Sequence, residues 1–113
     1  MPFINIQVSK PIDNTTRDKL QTEIAGIMEL IPGKNSGNTT ICISDNYTIY
    51  KDKQPIVAAF IEIRLYKESP EESKSLFADS LFKIVESVID IPPSFVQMNF
   101  VELPNWASNG KFF

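Results

Sequence analysis

The same helical stripe occurs twice in this chain, 57 residues apart from Leu20 to Phe77, and each copy is cut off by Ile-Pro. In the first copy Leu20, Ile24, Ile27, Met28 and Ile31 fall at offsets 0, 4, 7, 8 and 11, and Ile31-Pro32-Gly33 ends the run. In the second, Phe77, Leu81, Ile84, Val85 and Val88 repeat those offsets, and Ile91-Pro92-Pro93 ends it. Such spacing puts each set of five on one face of a helix. Proline stops both, because it lacks an N–H and its ring clashes with the preceding turn. Asp13, Asn14, Thr15 and Thr16 supply N-cap candidates for the first helix. Ser69-Pro70-Glu71-Glu72 predicts a capping box for the second, with Ser69 as N-cap and proline at the first helical position.

Each helix lies between two β-rich runs. Phe3 to Val8 alternates apolar and polar residues, as a half-buried strand requires. Thr39 to Ser44 is rich in β-branched residues. Ile56 to Tyr66 is the longest strand candidate; its second half puts Ile61, Ile63 and Leu65 on one face and Phe60, Glu62, Arg64 and Tyr66 on the other. Phe95 to Leu103 is the last. Between the halves, Asp45 to Gln54 is polar with interspersed Tyr47, Ile49 and Tyr50, and reads as a loop or short hairpin. The chain is therefore expected to be a single domain of two tandem βαβ units, a pseudo-repeat of 1–45 and 55–102 with a tail at 103–113. Right-handed crossovers make this an α+β fold, a four-stranded sheet with both helices on one face. The other face carries Phe60, Glu62, Arg64 and Tyr66, too mixed for a core and too apolar for a bare solvated surface. Copies of the same chain would cover it.

Composition removes several kinds of chemistry. With no histidine and Cys42 as the only cysteine, intramolecular disulfides, Cys/His zinc sites and Ser-His-Asp or Cys-His nucleophile systems are excluded. Acid-base chemistry must come from an amine, carboxylates, tyrosines, lysines or arginine. Among Thr40, Ile41 and Ile43, Cys42 is expected to be a buried structural thiol. A net charge of −3 argues against a nucleic-acid partner. No apolar run approaches the ~18 residues that cross a membrane. The polar first thirty residues do not resemble a signal peptide, so no membrane partner and a cytoplasmic location are expected.

Pro2 opens directly into the first strand. Its plain reading is a strand-edge proline. If Met1 is removed, however, Pro2 becomes a secondary amine at the sheet edge. Model α-amino groups titrate near ~8, and an apolar site or nearby cations lower that value, so this amine would be available as a general base or an imine-forming nucleophile.

Pro2 at the head of the first strand, two βαβ units of this size and a short C-terminal tail together resemble the tautomerase superfamily, which includes 4-oxalocrotonate tautomerase, malonate semialdehyde decarboxylase and macrophage migration inhibitory factor. The length is similar to that of the fused members. Phe-Ile-Glu-Ile-Arg-Leu-Tyr-Lys-Glu at 60–68 and the ending Asn109-Gly110-Lys111-Phe112-Phe113 are similar to a bacterial branch for which the resemblance implies no established reaction. The resemblance implies a homotrimer with active sites around the amino-terminal proline at subunit boundaries. It gives Pro2 the place of the catalytic base. Lys34, in Gly33-Lys34, is similar to a pocket lysine of the macrophage-factor branch. Asn99 matches an asparagine near that pocket, but Gln97 replaces the tyrosine expected beside it. Arg64 and Lys67 lie near the substrate-binding arginines of the decarboxylase branch, within a residue or two of register.

Each of these residues also has a structural reading. Arg64, on the face it shares with Glu62, is either half of an ion pair in an oligomer interface or a guanidinium fork for a substrate carboxylate. Lys34 and Lys67 are loop lysines that solvent alone would explain. Tyr66 is a strand-end packing aromatic or a proton donor. Trp106 and the Phe112-Phe113 pair either cap a pocket or, the preferred expectation, dock on a neighbouring subunit. Two functions remain. One is a cofactor-free tautomerase-like enzyme acting on a small α-keto acid or related carboxylate. The other is a non-catalytic oligomeric binding or scaffold protein with the same fold.

Overall fold

In β1 (Phe3–Val8), alternation buries Ile4, Ile6 and Val8 and turns Phe3, Asn5 and Gln7 to the opposite face, in a computed structural model that describes all residues from Met1 to Phe113. Asp13 then caps α1 (Asn14–Ile27), its carboxylate accepting the Thr16 N–H at 2.7 Å. Those bonds to Thr16 hold the Asp13 carboxyl below its usual range. Leu20 and Ile24 are the buried stripe of α1, which tightens into a 3-10 turn at Met28–Leu30. Met28 and Ile31 are fully buried beyond its end. After a second 3-10 turn at Ser36–Asn38, β2 (Thr40–Ser44) pairs parallel to β1.

The chain leaves the sheet for a hairpin, β3 (Ile49–Lys51) and β4 (Gln54–Ile56), whose turn residues Asp52 and Lys53 have φ of 49° and 66°. It re-enters as β5 (Ala59–Tyr66), antiparallel to β1, and α2 (Glu71–Ile89) leads to β6 (Val96–Leu103), parallel to β5. The sheet order is β2-β1-β5-β6. On its covered face Ile4, Ile6, Ile61, Ile63 and Leu65 form one cluster with Leu20, Ile24, Phe77, Leu81 and Val85 from the two helices. Burying each such side chain contributes about 1.5–3 kcal/mol. The α+β architecture is the one the repeated stripe predicts.

Four local expectations need correction. Ser69 is not an N-cap: Pro70 occupies that position with no side-chain cap bond, while the Ser69 N–H donates to Glu102 Oε2 at 2.6 Å. That carboxylate from β6, also bonded to Lys74 Nζ at 2.8 Å, accepts the N–H that the predicted capping box would give to Glu72. Cys42 is exposed rather than buried, because in β2 Ile41 and Ile43 take the partly covered face and Thr40 and Cys42 the other. The predicted strand from Ile56 divides, with Ile56 in β4 and β5 beginning at Ala59. At the end of α2 the residue with the more complete burial is Ile89, 3% exposed, while Val88 is only partly buried.

Candidate functional site

The strand register writes out the open face of the sheet row by row. Thr40, Phe3, Arg64 and Val101 are aligned across the four strands, followed by Cys42, Asn5, Glu62 and Asn99, then Ser44, Gln7, Phe60 and Gln97. Pro2 stands just ahead of the first row. It is buried, and its carbonyl accepts the Thr40 N–H at 3.1 Å, which ties the amino terminus to the edge strand.

Around it is a cleft of about 540 Å³ with three walls: the terminus itself at 1–3, the 3-10 turn and β2 entry at 37–40, and the tail at 106–108. The terminal amine, carried by Met1, is held below its ordinary value first by burial and then by the positive charge of Lys34. Both causes favour the neutral amine, which is the form that accepts a proton or attacks a carbonyl. Lys34 is half-buried in an otherwise exposed stretch. Of the candidate residues, Pro2 thus lines the cleft and Lys34 lies beside the amine of the preceding Met1.

The others are arranged around that place without lining the cleft. Arg64 lies opposite Phe3, and its Nε and Nη2 both reach Glu62 Oε1 at 2.6 Å. The guanidinium is therefore already held, although its side chain is 48% exposed. Because β5 is antiparallel to β1, its end at Tyr66 and the following Lys67 fall at the amino-terminal end of the sheet. Lys67 has a φ of 66° and its N–H donates to the Leu103 carbonyl at 2.8 Å. Its ammonium sits 5.1 Å above the Tyr66 ring. Asn99 is exposed in the middle row beside Glu62, two strands from β1. Gln97 lines a separate, mostly apolar hollow of about 230 Å³ with Tyr50, Phe60 and Phe95.

Within the single chain the tail takes the pocket-wall alternative for Trp106. Ala107–Ser108 (β7) and Lys111–Phe112 (β8) form a hairpin on the chain's own surface, with Trp106 in the cleft wall. The Phe113 N–H donates to the Trp106 carbonyl at 2.7 Å, and its ring lies 5.9 Å from that of Tyr66. Only Phe112, 76% exposed, remains free of the fold. The signal was present in Asn109-Gly110, with φ of 53° and 75°. Two successive positive-φ residues are what a tight hairpin turn requires.

At the level of sequence, no family model and no curated protein matches this chain. Solved structures do match. The Leishmania major protein MIF2 superimposes with a TM-score of 0.92 at 19% identity, over 100% of this chain and 97% of that one. A fused 4-OT, an asymmetric trimer, gives 0.87 at 15% identity over 96% and 94%. Pt0534, in a form inactivated by 2-oxo-3-pentynoate, gives 0.87 at 13% identity over 96% and 93%. This chain has the tautomerase-superfamily fold. Within the tautomerase fold, the Pro2 cleft, its neighbouring Lys34 and the mixed open face are the features on which a function must be built.

Proposed function

We propose that this protein is a cofactor-free enzyme of tautomerase type, in which the amino-terminal amine moves a proton between oxygen and carbon of a small α-keto acid or related carboxylate. The observation that carries this reading is the cleft around the amino terminus with Lys34 beside it, where burial and that cation both disfavour the charged form of the Met1 amine. With Met1 removed, the base is the Pro2 nitrogen. While Met1 is attached, that nitrogen is an amide and has no basicity.

In the proposed reaction the neutral amine accepts the enol hydroxyl proton and the resulting ammonium returns a proton to the adjacent carbon, so the enzyme ends as it began. Lys34 holds the substrate carboxylate, and the same charge keeps the resting amine deprotonated. Arg64 and Lys67 are the additional cations at this end of the sheet. Arg64 must share or leave Glu62 to serve, so Lys34 is the primary clamp. Tyr66 is a candidate proton donor at the rim. Asn99, on the open face of its own chain, would serve a cleft in a neighbouring copy of a homotrimer. The fused 4-OT structure, an asymmetric trimer, supports that assembly.

Intact mass followed by turnover tests the reading. The expected results are a chain lacking Met1, ketonisation of a small enol acid, and loss of that activity in Pro2→Ala with the assembly retained. The inhibitor in the Pt0534 structure suggests a second readout: 2-oxo-3-pentynoate should leave one adduct per chain at the amino terminus. Unchanged turnover in Pro2→Ala, or a retained Met1 with no turnover, would favour the non-catalytic binding or scaffold protein.

A further inference from the structure

Lys34 has no ion-pair partner of its own, and its place beside the amine is set by the loop that carries it. That loop begins at Gly33, whose φ of 78° turns the chain after Pro32, and the Lys34 N–H donates back to the Ile31 carbonyl at 3.0 Å. Of residues 33–40, only Lys34, Asn38 and Thr39 are half-buried; the rest are exposed. Asn38 belongs both to the cleft wall and to the hydrogen bonding of the loop.

The side-chain amide of Asn38 brackets Lys34. Its Nδ2 donates to the carbonyl of Gly33, the residue before Lys34, at 3.2 Å. Its Oδ1 accepts the N–H of Asn35, the residue after Lys34, at 3.0 Å. Asn35 answers with its own Oδ1, which accepts the Asn38 N–H at 3.1 Å, and the Thr39 hydroxyl donates to the Asn35 carbonyl at 2.7 Å. An amide supplies a donor and an acceptor on one short, planar group. A carboxylate of that length only accepts, and a hydroxyl would have to serve both partners from one oxygen atom.

We infer that Asn38 is a positioning residue for the proposed site, holding the backbone on both sides of Lys34 so that its ammonium faces the terminal amine and a bound carboxylate. This rests on the proposed function for its purpose but not for its test. The charges around the amine make the effect readable. The cleft walls at 2–3, 37–40 and 106–108 contribute no ionisable side chain, Arg64 is paired with Glu62 and Lys67 lies over the Tyr66 ring, and of the three cations at this end of the sheet Lys34 is the one that acts on the amine.

The experiment is competitive acetylation of the amino terminus by acetic anhydride across pH, in wild type, Lys34→Ala, Asn38→Ala and the double variant, read by mass spectrometry of the terminal peptide. Thermal unfolding of each variant controls for folding. Removing Lys34 should raise the pH midpoint of the amine and lower its labelling near neutral pH several-fold. Asn38→Ala should do the same, and the double variant no more than either alone. If Asn38→Ala lowers the melting temperature but leaves the amine midpoint where it was, Asn38 is merely structural and the inference fails while the proposed function stands. Additive shifts would show that Asn38 acts on the amine without Lys34, which also overturns it. No shift in Lys34→Ala would remove Lys34 from the amine's surroundings and overturn it at its root. Turnover in Pro2→Ala remains the separate test of the enzyme reading.

Discussion

Lys34 is the residue at which charge and position meet. A loop lysine is ordinarily a solvated cation that costs nothing to leave alone, yet this one is half-buried and depresses the proton affinity of a nearby amine. If it clamps a substrate carboxylate, losing that charge-assisted bond costs about 1.5–3 kcal/mol, or roughly ten- to a hundredfold in kcat/KM. Lys34→Ala is expected to show that loss at neutral pH. The base works in its neutral form, and removing a neighbouring cation raises its pKa. The acid limb of the kcat/KM profile should therefore move to higher pH in the variant. A profile that keeps its acid limb while KM rises would mean that Lys34 binds substrate without tuning the amine. Pro2 and Lys34 were both legible in the sequence, as a strand-opening proline and a Gly-Lys after a helix. The loop that joins them to Asn38 was not, because Lys-Asn-Ser-Gly-Asn reads only as a polar turn until its hydrogen bonds are drawn.

Among the elements, the start of α2 shows how a tertiary partner can displace a local one. The Ser-Pro-Glu-Glu pattern supplies every part of a capping box, but the Ser69 N–H and Lys74 both go to Glu102 on β6. An N-cap serine replaced by alanine costs ~1 kcal/mol. Since the Ser69 side chain makes no cap bond, Ser69→Ala should instead stay within about 0.5 kcal/mol of wild type in urea unfolding. Glu102→Gln should be clearly destabilising. The Lys74 bond first and the Ser69 N–H second hold the Glu102 carboxyl below its usual value. Its contribution is therefore complete above the ordinary carboxylate range and is lost as pH falls through the lowered value. Melting temperature should drop more steeply in acid for wild type than for Glu102→Gln, and parallel curves would exclude this carboxylate as the cause. The tail hairpin makes the complementary point: Asn109-Gly110 is a local signal strong enough to fold Trp106 and Phe113 back onto the chain.

For the whole molecule, the open face of the sheet is the unresolved surface of the single chain. Its rows mix Phe3, Phe60 and Val101 with Asn5, Glu62, Arg64 and Asn99, and both outer strands, β2 and β6, end the sheet with unpaired edges. Edges of this kind invite another chain. A homotrimer is expected in sedimentation equilibrium, at three times the chain mass of 12.8 kDa. Cys42 offers an internal probe, since it is exposed on that face in the single chain. Its thiol should react slowly in the assembled protein and rapidly once the copies are separated by dilution or mild denaturant. A monomer with a freely reactive Cys42 would leave Asn99 without a cleft to serve.

The periodicities were enough for the architecture. Two identical stripes closed by Ile-Pro, each between alternating runs, admit few arrangements other than two βαβ units under one helical layer, because every apolar face must find a partner. The absence of histidine and the single cysteine narrowed the available chemistry for the same reason of inventory. What the sequence could not decide depends on residues far apart in the chain meeting in space. The lowered proton affinity of the amine needs burial and Lys34 together. The exposure of Cys42 turns on strand parity against β1, and the Ser69 N–H ahead of α2 goes to a carboxylate 33 residues away. Propensity and spacing are local quantities, whereas desolvation, charge proximity and hydrogen-bond competition exist only once the sheet has set its register.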